Sequence, residues 1–470
     1  MKKTKIIATI SNDKCDVALL RQLRDAGMDV VRMNTAHQTP EEALAVVRNV
    51  RAVSDRIAIM VDTKGPEIRT VDTGEDLPVK RDDIIYMKGG AECPLSGKCV
   101  FVTYDGFVAD LTPGDKILID DGDIELTVMD KDDKELKCHV SNDGVIRGRK
   151  SINLPSVSIK NLPSLSEKDR AFVDFAADQD VDFIAHSFVR NKEDLLAIQE
   201  ILDRKNSDVK LIAKIENQEG VDNLDEILDH AFGAMVARGD LAIEIPAERI
   251  PIIQKKIVHK CIQRRKPVII ATQMLQSMIN SPRPTRAEVS DVANACLDST
   301  DAVMLSGETA YGKYPLEAVK MMATISREVE SSNSTFINTP YESDSDITGY
   351  LAKAAVKASL RLKTSGIVAD SISGRTIRTL VAYRGESPIY AQCYSMRVVR
   401  ELALSFGVYA DHMSRDLSSH EFLTAAVTRL LEEGTIEKDS LLTVLAGNFG
   451  SDNGASYIEI STAENLLREK

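Results

Sequence analysis

The sequence predicts an α/β protein: a (β/α)8 TIM barrel with an inserted all-β lid domain, followed by a C-terminal open α/β domain. Three observations carry this. Eight short, near-continuous apolar runs alternate with helical stripes, which suits parallel strands covered on both faces. The gap between the third and fourth runs is too long for one loop and differs in composition. After a Ser/Asn/Thr/Asp/Pro-rich stretch, a second strand–helix alternation begins. A length of 470 residues allows about three domains.

In chain order, the basic start Met1-Lys2-Lys3-Thr4-Lys5 imitates a signal peptide. The apolar run after it is too short, and Asp13, Lys14 and Asp16 follow at once, so 5–10 reads as the first strand. Further strands are expected at 30–34, 57–62, 183–187, 211–216, 234–240, 268–273 and 302–308. Leu195, Ile198, Ile201 and Leu202 share one helix face, as do Val221, Leu224, Ile227 and Leu228. Ile253, Ile257 and Cys261 are spaced by four. Thr285-Arg-Ala-Glu288 has the capping-box pattern, and Pro315 suits a first helical turn. Residues 1–70 and 157–335 therefore read as the barrel.

Residues 71–156 are rich in Asp, Gly, Val and Lys, with alternating runs at 116–120 and 124–128 and turn dipeptides Asp121-Gly122 and Asp143-Gly144. They read as a small β-barrel domain inserted at a strand's C-terminal end, over the face where barrel enzymes work and placed to act as a lid. Ser331 to Asp346 reads as a linker. Strands at 367–369, 389–393, 408–410, 441–445 and 457–460 make residues 345–470 the α/β domain, expected to be regulatory.

Lys and Arg total 59 against 72 Asp and Glu, a net charge of −13. This excludes a broad basic grip on nucleic acid but allows one focused cationic pocket. No apolar run is long enough to span a membrane. Seven scattered cysteines without a Cys-x-x-C pair argue for a reducing cytoplasm and against disulfides or zinc.

Polar residues gather at the strands' C-terminal ends. A period of two puts Arg32 with Asn34, Lys214 with Glu216, and Arg238 with Asp240 on common faces. Asp62, Ser187, Thr272 and Glu308 end other strands. Glu216 and Asp240 could give Mg²⁺ two oxygens, with Lys214 a point charge for phosphate or a developing enolate. Arg32 and Arg69 add cations, completing an inventory for phosphoryl transfer. The same residues could instead form an ion network closing the barrel.

Six segments carry a resemblance: Val61-Asp-Thr-Lys-Gly-Pro-Glu-Ile-Arg-Thr70, Lys214-Ile-Glu-Asn-Gln-Glu-Gly220, Met235-Val-Ala-Arg-Gly-Asp-Leu241, Ala271-Thr-Gln-Met-Leu275, Pro282-Arg-Pro-Thr-Arg-Ala-Glu288 and Met304-Leu-Ser-Gly-Glu-Thr-Ala310. In this order they resemble the pyruvate kinases, over residues 5 to about 317; the C-terminal part matches more weakly. The resemblance implies phosphoryl transfer from phosphoenolpyruvate to ADP, giving pyruvate and ATP in glycolysis, with Mg²⁺ (or Mn²⁺) and K⁺. It implies that Glu216 and Asp240 bind the divalent metal and that Lys214 neutralises the transferring phosphoryl group. Arg32 would contact that phosphate, with the Ser187 hydroxyl supporting it. The backbone of Gly239 and Asp240 would hold the substrate carboxylate, and Thr272 would help protonate the enolate. Arg69, Lys150 on the lid, and more weakly His37 would face the nucleotide. Asn34, Asp62 and the Thr63 carbonyl match the K⁺ site.

Some positions depart from the family pattern. Ala36 replaces a serine whose hydroxyl would ligate K⁺, whereas Glu67 is the residue paired with K⁺ dependence; a weakened but real K⁺ requirement is expected. Ser11-Asn12 replaces Gly-Pro, and Ala242 stands where glycine is common. Tyr311 stands where a lysine lies toward the nucleotide phosphates, which implies lower nucleotide affinity.

In the last domain, Ser371, Ser373, Gly374, Arg375 and Thr376 form a candidate phosphate cradle between a strand and a helix. The family's effector site implies activation by a phosphorylated sugar or nucleotide, with Gly447 to Gly454 as its flexible loop. The family also implies a homotetramer. Two other readings stand beside the first: a Mg²⁺-dependent lyase or aldolase making a pyruvate enolate, and a catalytically weak regulatory paralogue. Arg69, Lys150 and the lid favour the first, since a lyase needs no second phosphate site.

Overall fold

The computed structural model describes residues 1–90, 98–155, 157, 159, 162–332, 346–415, 417, 419–447 and 454–468, without the side chains of residues 37, 419 and 420. Eight parallel strands close into a barrel: β1 Lys5–Thr9, β2 Val30–Asn34, β3 Ala58–Asp62, β4 Phe183–His186, β5 Lys210–Ile215, β6 Gly233–Ala237, β7 Val268–Ala271 and β8 Ala302–Leu305. All eight expected strands are present. The closing pair is β1 with β8, where Lys5 faces Ala302.

Strand alternation sorts the side chains into two cores. Ile7, Val30, Met60, Phe183, Ala185, Ile212, Met235, Ile269 and Met304 fill the barrel interior. Their neighbours, including Ile6, Val31, Ile59, Ile184, Leu211, Val236, Ile270 and Val303, pack under the outer helices. Extending the inward parity by one or two steps reaches Arg32, Asp62, Ser187, Lys214 and Glu216 at the strands' C-terminal ends. The period that builds the core thus also aims the site.

Helix starts follow their caps. Thr39 with Glu42, Ser166 with Asp169, and Thr285 with Glu288 all form capping boxes. Pro315 opens the helix Pro315–Ser332. The single face through Val221, Leu224, Ile227 and Leu228 is corrected: Asn223 divides it into Gln218–Asp222 and Leu224–His230. Its amide donates to the Arg190 carbonyl, while its backbone N–H still reaches the Glu219 carbonyl and its own carbonyl accepts the Ile227 N–H.

The insertion forms a seven-stranded sheet running Ile68–Arg69, Ser151–Asn153, Lys116–Ile119, Ile124–Lys131, Leu136–Val140, Ile84–Gly89, Cys99–Val102. A bridge from Thr70 to Val102 joins its two ends. Asp120, Asp121 and Gly122 take the positive φ of a tight turn between two of its strands. One helical turn, Phe107–Asp110, is added to the all-β expectation. It packs Phe107 into the sheet's apolar core.

The last domain is a five-stranded sheet in the order Val408–His412, Ile389–Cys393, Gly366–Ser371, Leu441–Ala446, Tyr457–Thr462, parallel except for the final pair. It has an apolar core on each face. Arg384 docks it to the barrel through a buried bidentate pair with Asp301 (2.7 and 3.0 Å). Leu404 plugs the barrel's N-terminal end. The six described cysteines are free, and Cys93 lies outside the described residues. Most of the expected linker, 333–345, lies outside them too. Among the described residues no helix is long and apolar enough to cross a membrane.

Candidate active site

Asp62, at the end of β3, is 1% exposed and organises the site. Arg32 Nε donates to its Oδ2 at 2.6 Å and Lys214 Nζ to its Oδ1 at 3.0 Å. Burial opposes its charge, but the two cations outweigh it and hold the carboxyl below the usual carboxylate range. Arg32 Nη1 also donates to Thr9 Oγ1 on β1. Strands β1, β2, β3 and β5 thereby converge on one buried ion network.

Lys214 donates to Ser187 Oγ at 2.6 Å and lies 3.1 Å from Glu216 Oε1. Burial works against its charge, yet Asp62 and Glu216 raise its pKa, so it is an ammonium at every working pH. Glu216 accepts the Phe188 N–H at 2.6 Å. Burial and the charge of Asp240 push its carboxyl up, against the pull of Lys214. Phe188 adopts φ 55° to present that N–H, a contact the sequence did not reveal.

Ser187 donates to the Thr63 carbonyl at 2.7 Å, and Thr63 Oγ1 meets His186 Nδ1 at 2.9 Å. Burial lowers the His186 pKa to about 4, so this ring is neutral. Thr35 Oγ1 donates to the Asp62 carbonyl, and Asn34 Oδ1 accepts the Ala36 N–H at 3.2 Å. Asn34, Asp62 and Thr63 therefore sit together. The His37 side chain lies outside the described residues.

Three strand-end expectations are corrected, at β6, at β7 and at β8, which stops at Leu305 with Glu308 in the short helix Gly307–Ala310. β6 stops at Ala237, and Arg238–Glu244 is helical, so Arg238 and Asp240 do not alternate on a strand. Arg238 turns instead to Asp291, with both contacts at 2.6 Å, and donates to the Thr272 carbonyl at 2.9 Å. β7 stops at Ala271, and Thr272 and Gln273 take φ of 68° and 54°. A β-branched residue there is strained and must be held by its surroundings. The bracing comes from Arg238, from the Gly239 N–H donating to Thr272 Oγ1 at 2.8 Å, and from that hydroxyl donating to the Ala271 carbonyl. Glu308 accepts the backbone N–H groups of Leu275 and Ser306, so its role is to hold loops.

Arg69 and Lys150 stand on the lid side in separate ion pairs. Arg69 binds Glu67 at 2.7 Å and the Arg149 carbonyl at 2.5 Å, and Lys150 binds Asp120 at 2.9 Å. Between lid and barrel lies a cleft of about 700 Å³, floored by Gly239, Asp240 and Thr272. Far from it, Ser371, Ser373, Arg375 and Thr376 line a narrow cleft with Gly447 and Gly454, while 448–453 lie outside the described residues. Gly374 there takes φ 75°, which glycine adopts without strain.

Known proteins share this arrangement. Residues 1–319 match the model of the pyruvate kinase barrel domain, and residues 350–461 that of the pyruvate kinase alpha/beta domain. The pyruvate kinase of Borreliella burgdorferi is 46% identical, over 99% of this chain and 98% of that protein. That of Bacillus licheniformis is 42% identical, over 98% of this chain and 80% of that protein. The crystal structure of a pyruvate kinase from Cryptosporidium parvum superposes with a TM-score of 0.92 at 34% identity, covering 98% of this chain and 96% of that one. With both family models matched in order on a barrel whose open end carries this ion network, the chain belongs to the pyruvate kinase family.

Proposed function

We infer that this chain transfers the phosphoryl group of phosphoenolpyruvate to ADP, giving pyruvate and ATP. The observation that carries the reading is the buried network of Lys214, Asp62, Arg32, Ser187 and Glu216 beside the braced Thr272. Moving a phosphoryl group between two anions is mostly positioning and charge neutralisation. Lys214 supplies a fixed charge to the transferring group, and Arg32 a second from the neighbouring strand. Gly239 and Asp240 offer backbone N–H groups to the substrate carboxylate. The Thr272 hydroxyl, which accepts the Gly239 N–H and donates to the Ala271 carbonyl, would turn from that carbonyl to relay a proton from solvent water toward the enolate carbon.

The donor set fits a hard divalent cation. Glu216 and Asp240 are oxygen donors whose mutual repulsion and burial leave a shortage of positive charge. Mg²⁺ or Mn²⁺ held there would neutralise phosphate charge. Asn34, Asp62 and the Thr63 carbonyl would hold K⁺; Ala36 brings no oxygen, which weakens that site. Arg69 and Lys150 would exchange Glu67 and Asp120 for nucleotide phosphates. The Ser371–Thr376 loop would take a phosphorylated sugar or nucleotide effector, in a homotetramer.

A lactate-dehydrogenase-coupled assay tests this. Pyruvate is expected only with phosphoenolpyruvate, ADP and Mg²⁺ together, and at several-fold lower rate without K⁺. Pyruvate formed without ADP would point to a lyase. Equal rates with and without K⁺ would remove the monovalent site.

A further inference from the structure

We propose that His186 is a positioning residue for the reaction: as a hydrogen-bond acceptor it fixes the Thr63 hydroxyl, and through Thr63 and Ser187 it holds the Lys214 ammonium in place for the transferring phosphoryl group. The proposal rests on the phosphotransferase reading above and adds to it a side chain placed to act through others.

Asp62 and Glu216 hold Lys214 by charge, at 3.0 and 3.1 Å. Charge attraction is weakly directional, so a third, hydrogen-bonded contact fixes the ammonium: Ser187 Oγ at 2.6 Å. Ser187 in turn is clamped twice to Thr63. Its hydroxyl donates to the Thr63 carbonyl at 2.7 Å, and its backbone N–H donates to Thr63 Oγ1 at 3.2 Å. The second bond requires the Thr63 hydroxyl to turn a lone pair toward Ser187, and its single proton must then point elsewhere.

Two acceptors are within reach of that proton. His186 Nδ1 lies at 2.9 Å and the Ala185 carbonyl at 3.5 Å, and the carbonyl already takes the Thr63 backbone N–H at 3.0 Å. The nearer acceptor wins, which leaves the ring's own proton on Nε2. Burial keeps the ring neutral, so Nδ1 retains its lone pair. Strand alternation explains the geometry. In β4, Phe183 and Ala185 fill the barrel interior and Ile184 packs under the outer helices. His186 shares the outer parity with Ile184, while Ser187 returns to the inner one.

As a mere filler the ring is costly. It is 0% exposed, and its Nε2 has no hydrogen-bond partner among the described residues. An aliphatic side chain would pack there without burying an unpaired N–H. What a histidine adds at this point is the Nδ1 acceptor.

The test is steady-state kinetics of the full chain with phosphoenolpyruvate and ADP, read beside thermal unfolding. His186→Leu removes the acceptor and is expected to lower kcat about tenfold, the size of one lost hydrogen bond. KM for phosphoenolpyruvate should stay within about twofold, because Arg32 and the backbone of Gly239 and Asp240 are untouched. Tm should be unchanged or higher, since an unpaired buried N–H is removed. His186→Asn returns an acceptor near the Nδ1 position and should recover kcat to within about threefold of the parent. Adding Thr63→Val to His186→Leu should cost no more than the larger single loss, because both act through one hydroxyl. A His186→Leu protein with parental kcat would overturn the positioning role. So would equal losses in the Leu and Asn variants, with or without a fall in Tm, which would assign the ring to packing. Losses that multiply in the double variant would also overturn it, by separating His186 from Thr63. A parent with no ADP-dependent turnover would overturn the functional reading, and the positioning role with it.

Discussion

Thr272 shows how much of this site depends on one backbone conformation. Its φ of 68° is costly for a β-branched residue, on the order of 1–3 kcal/mol, and Arg238 is the side chain that holds its carbonyl. Arg238→Gln should therefore release the turn and lower kcat about 100-fold, as expected for a reacting group displaced by about 1 Å. KM for phosphoenolpyruvate should move little, since Lys214 and Arg32 are untouched. A changed KM with unchanged kcat would show that the brace serves binding instead. The sequence made Thr272 and Asp240 legible through their motifs, but not the brace. Strand periodicity put Arg238 on a face with Asp240, because nothing local announces that the β6–β7 ladder ends with Ala237 opposite Ala271. Phe188 was missed for a related reason: its contribution is a backbone N–H at positive φ, and no side-chain pattern encodes that.

Elements were more legible than their ends. All eight barrel strands lay where apolar runs placed them, because each strand is buried on both faces and must be apolar along its length. Helix starts were legible where a cap side chain satisfies free N–H groups, as at Thr285. The break at Asn223 was not, because Asn223 makes no side-chain cap that a pattern could announce, its amide reaching the Arg190 carbonyl instead. That same Arg190 anchors the helix Lys192–Arg204 through Asp194, with contacts at 2.8, 2.9 and 3.1 Å from its side chain and backbone, and Ser164 adds a fourth at 2.5 Å. Burial opposes the charge of Asp194, but these hydrogen bonds prevail and lower its pKa. A lowered folded-state pKa gives stability that is present above the ordinary carboxylate value near 4 and is lost as pH falls through the lower folded value. Asp194→Asn should cost about 3 kcal/mol at pH 7 and flatten the stability profile between about pH 5 and pH 2. Urea unfolding of the two proteins across that range reads both effects. Parallel profiles would mean that Asp194 carries no linked proton.

At the scale of the whole molecule, buried aspartates join the parts at the barrel's N-terminal end. Asp182 binds Arg51 and Arg400, and Asp301 binds Arg384. Arg400 and Arg384 come from the last domain, so that domain is keyed to the barrel by charge in an apolar setting. Arg384→Met leaves Asp301 buried without its cation and should destabilise the protein by about 3–5 kcal/mol. Adding Asp301→Asn should restore part of the loss, because a neutral amide is cheaper to bury than an unpaired carboxylate. Thermal unfolding of parent, single and double variants measures this; a double variant no better than the single one would remove charge burial as the cause. None of these pairings was legible in the sequence, since each joins residues more than 80 positions apart, a distance no local pattern records.

At the opposite end of the barrel the Lys214 ammonium stands between Asp62, Glu216 and Ser187, its charge matched by the carboxylates around it. This ammonium is expected to neutralise the phosphoryl group in flight. Lys214→Met removes the charge while keeping a similar volume. Measured by ³¹P NMR of ATP formed from phosphoenolpyruvate and ADP with Mg²⁺ present, the variant should lose at least about 1000-fold in rate while the parent turns over. A Lys214→Met protein that forms ATP within about tenfold of the parent rate would contradict the account.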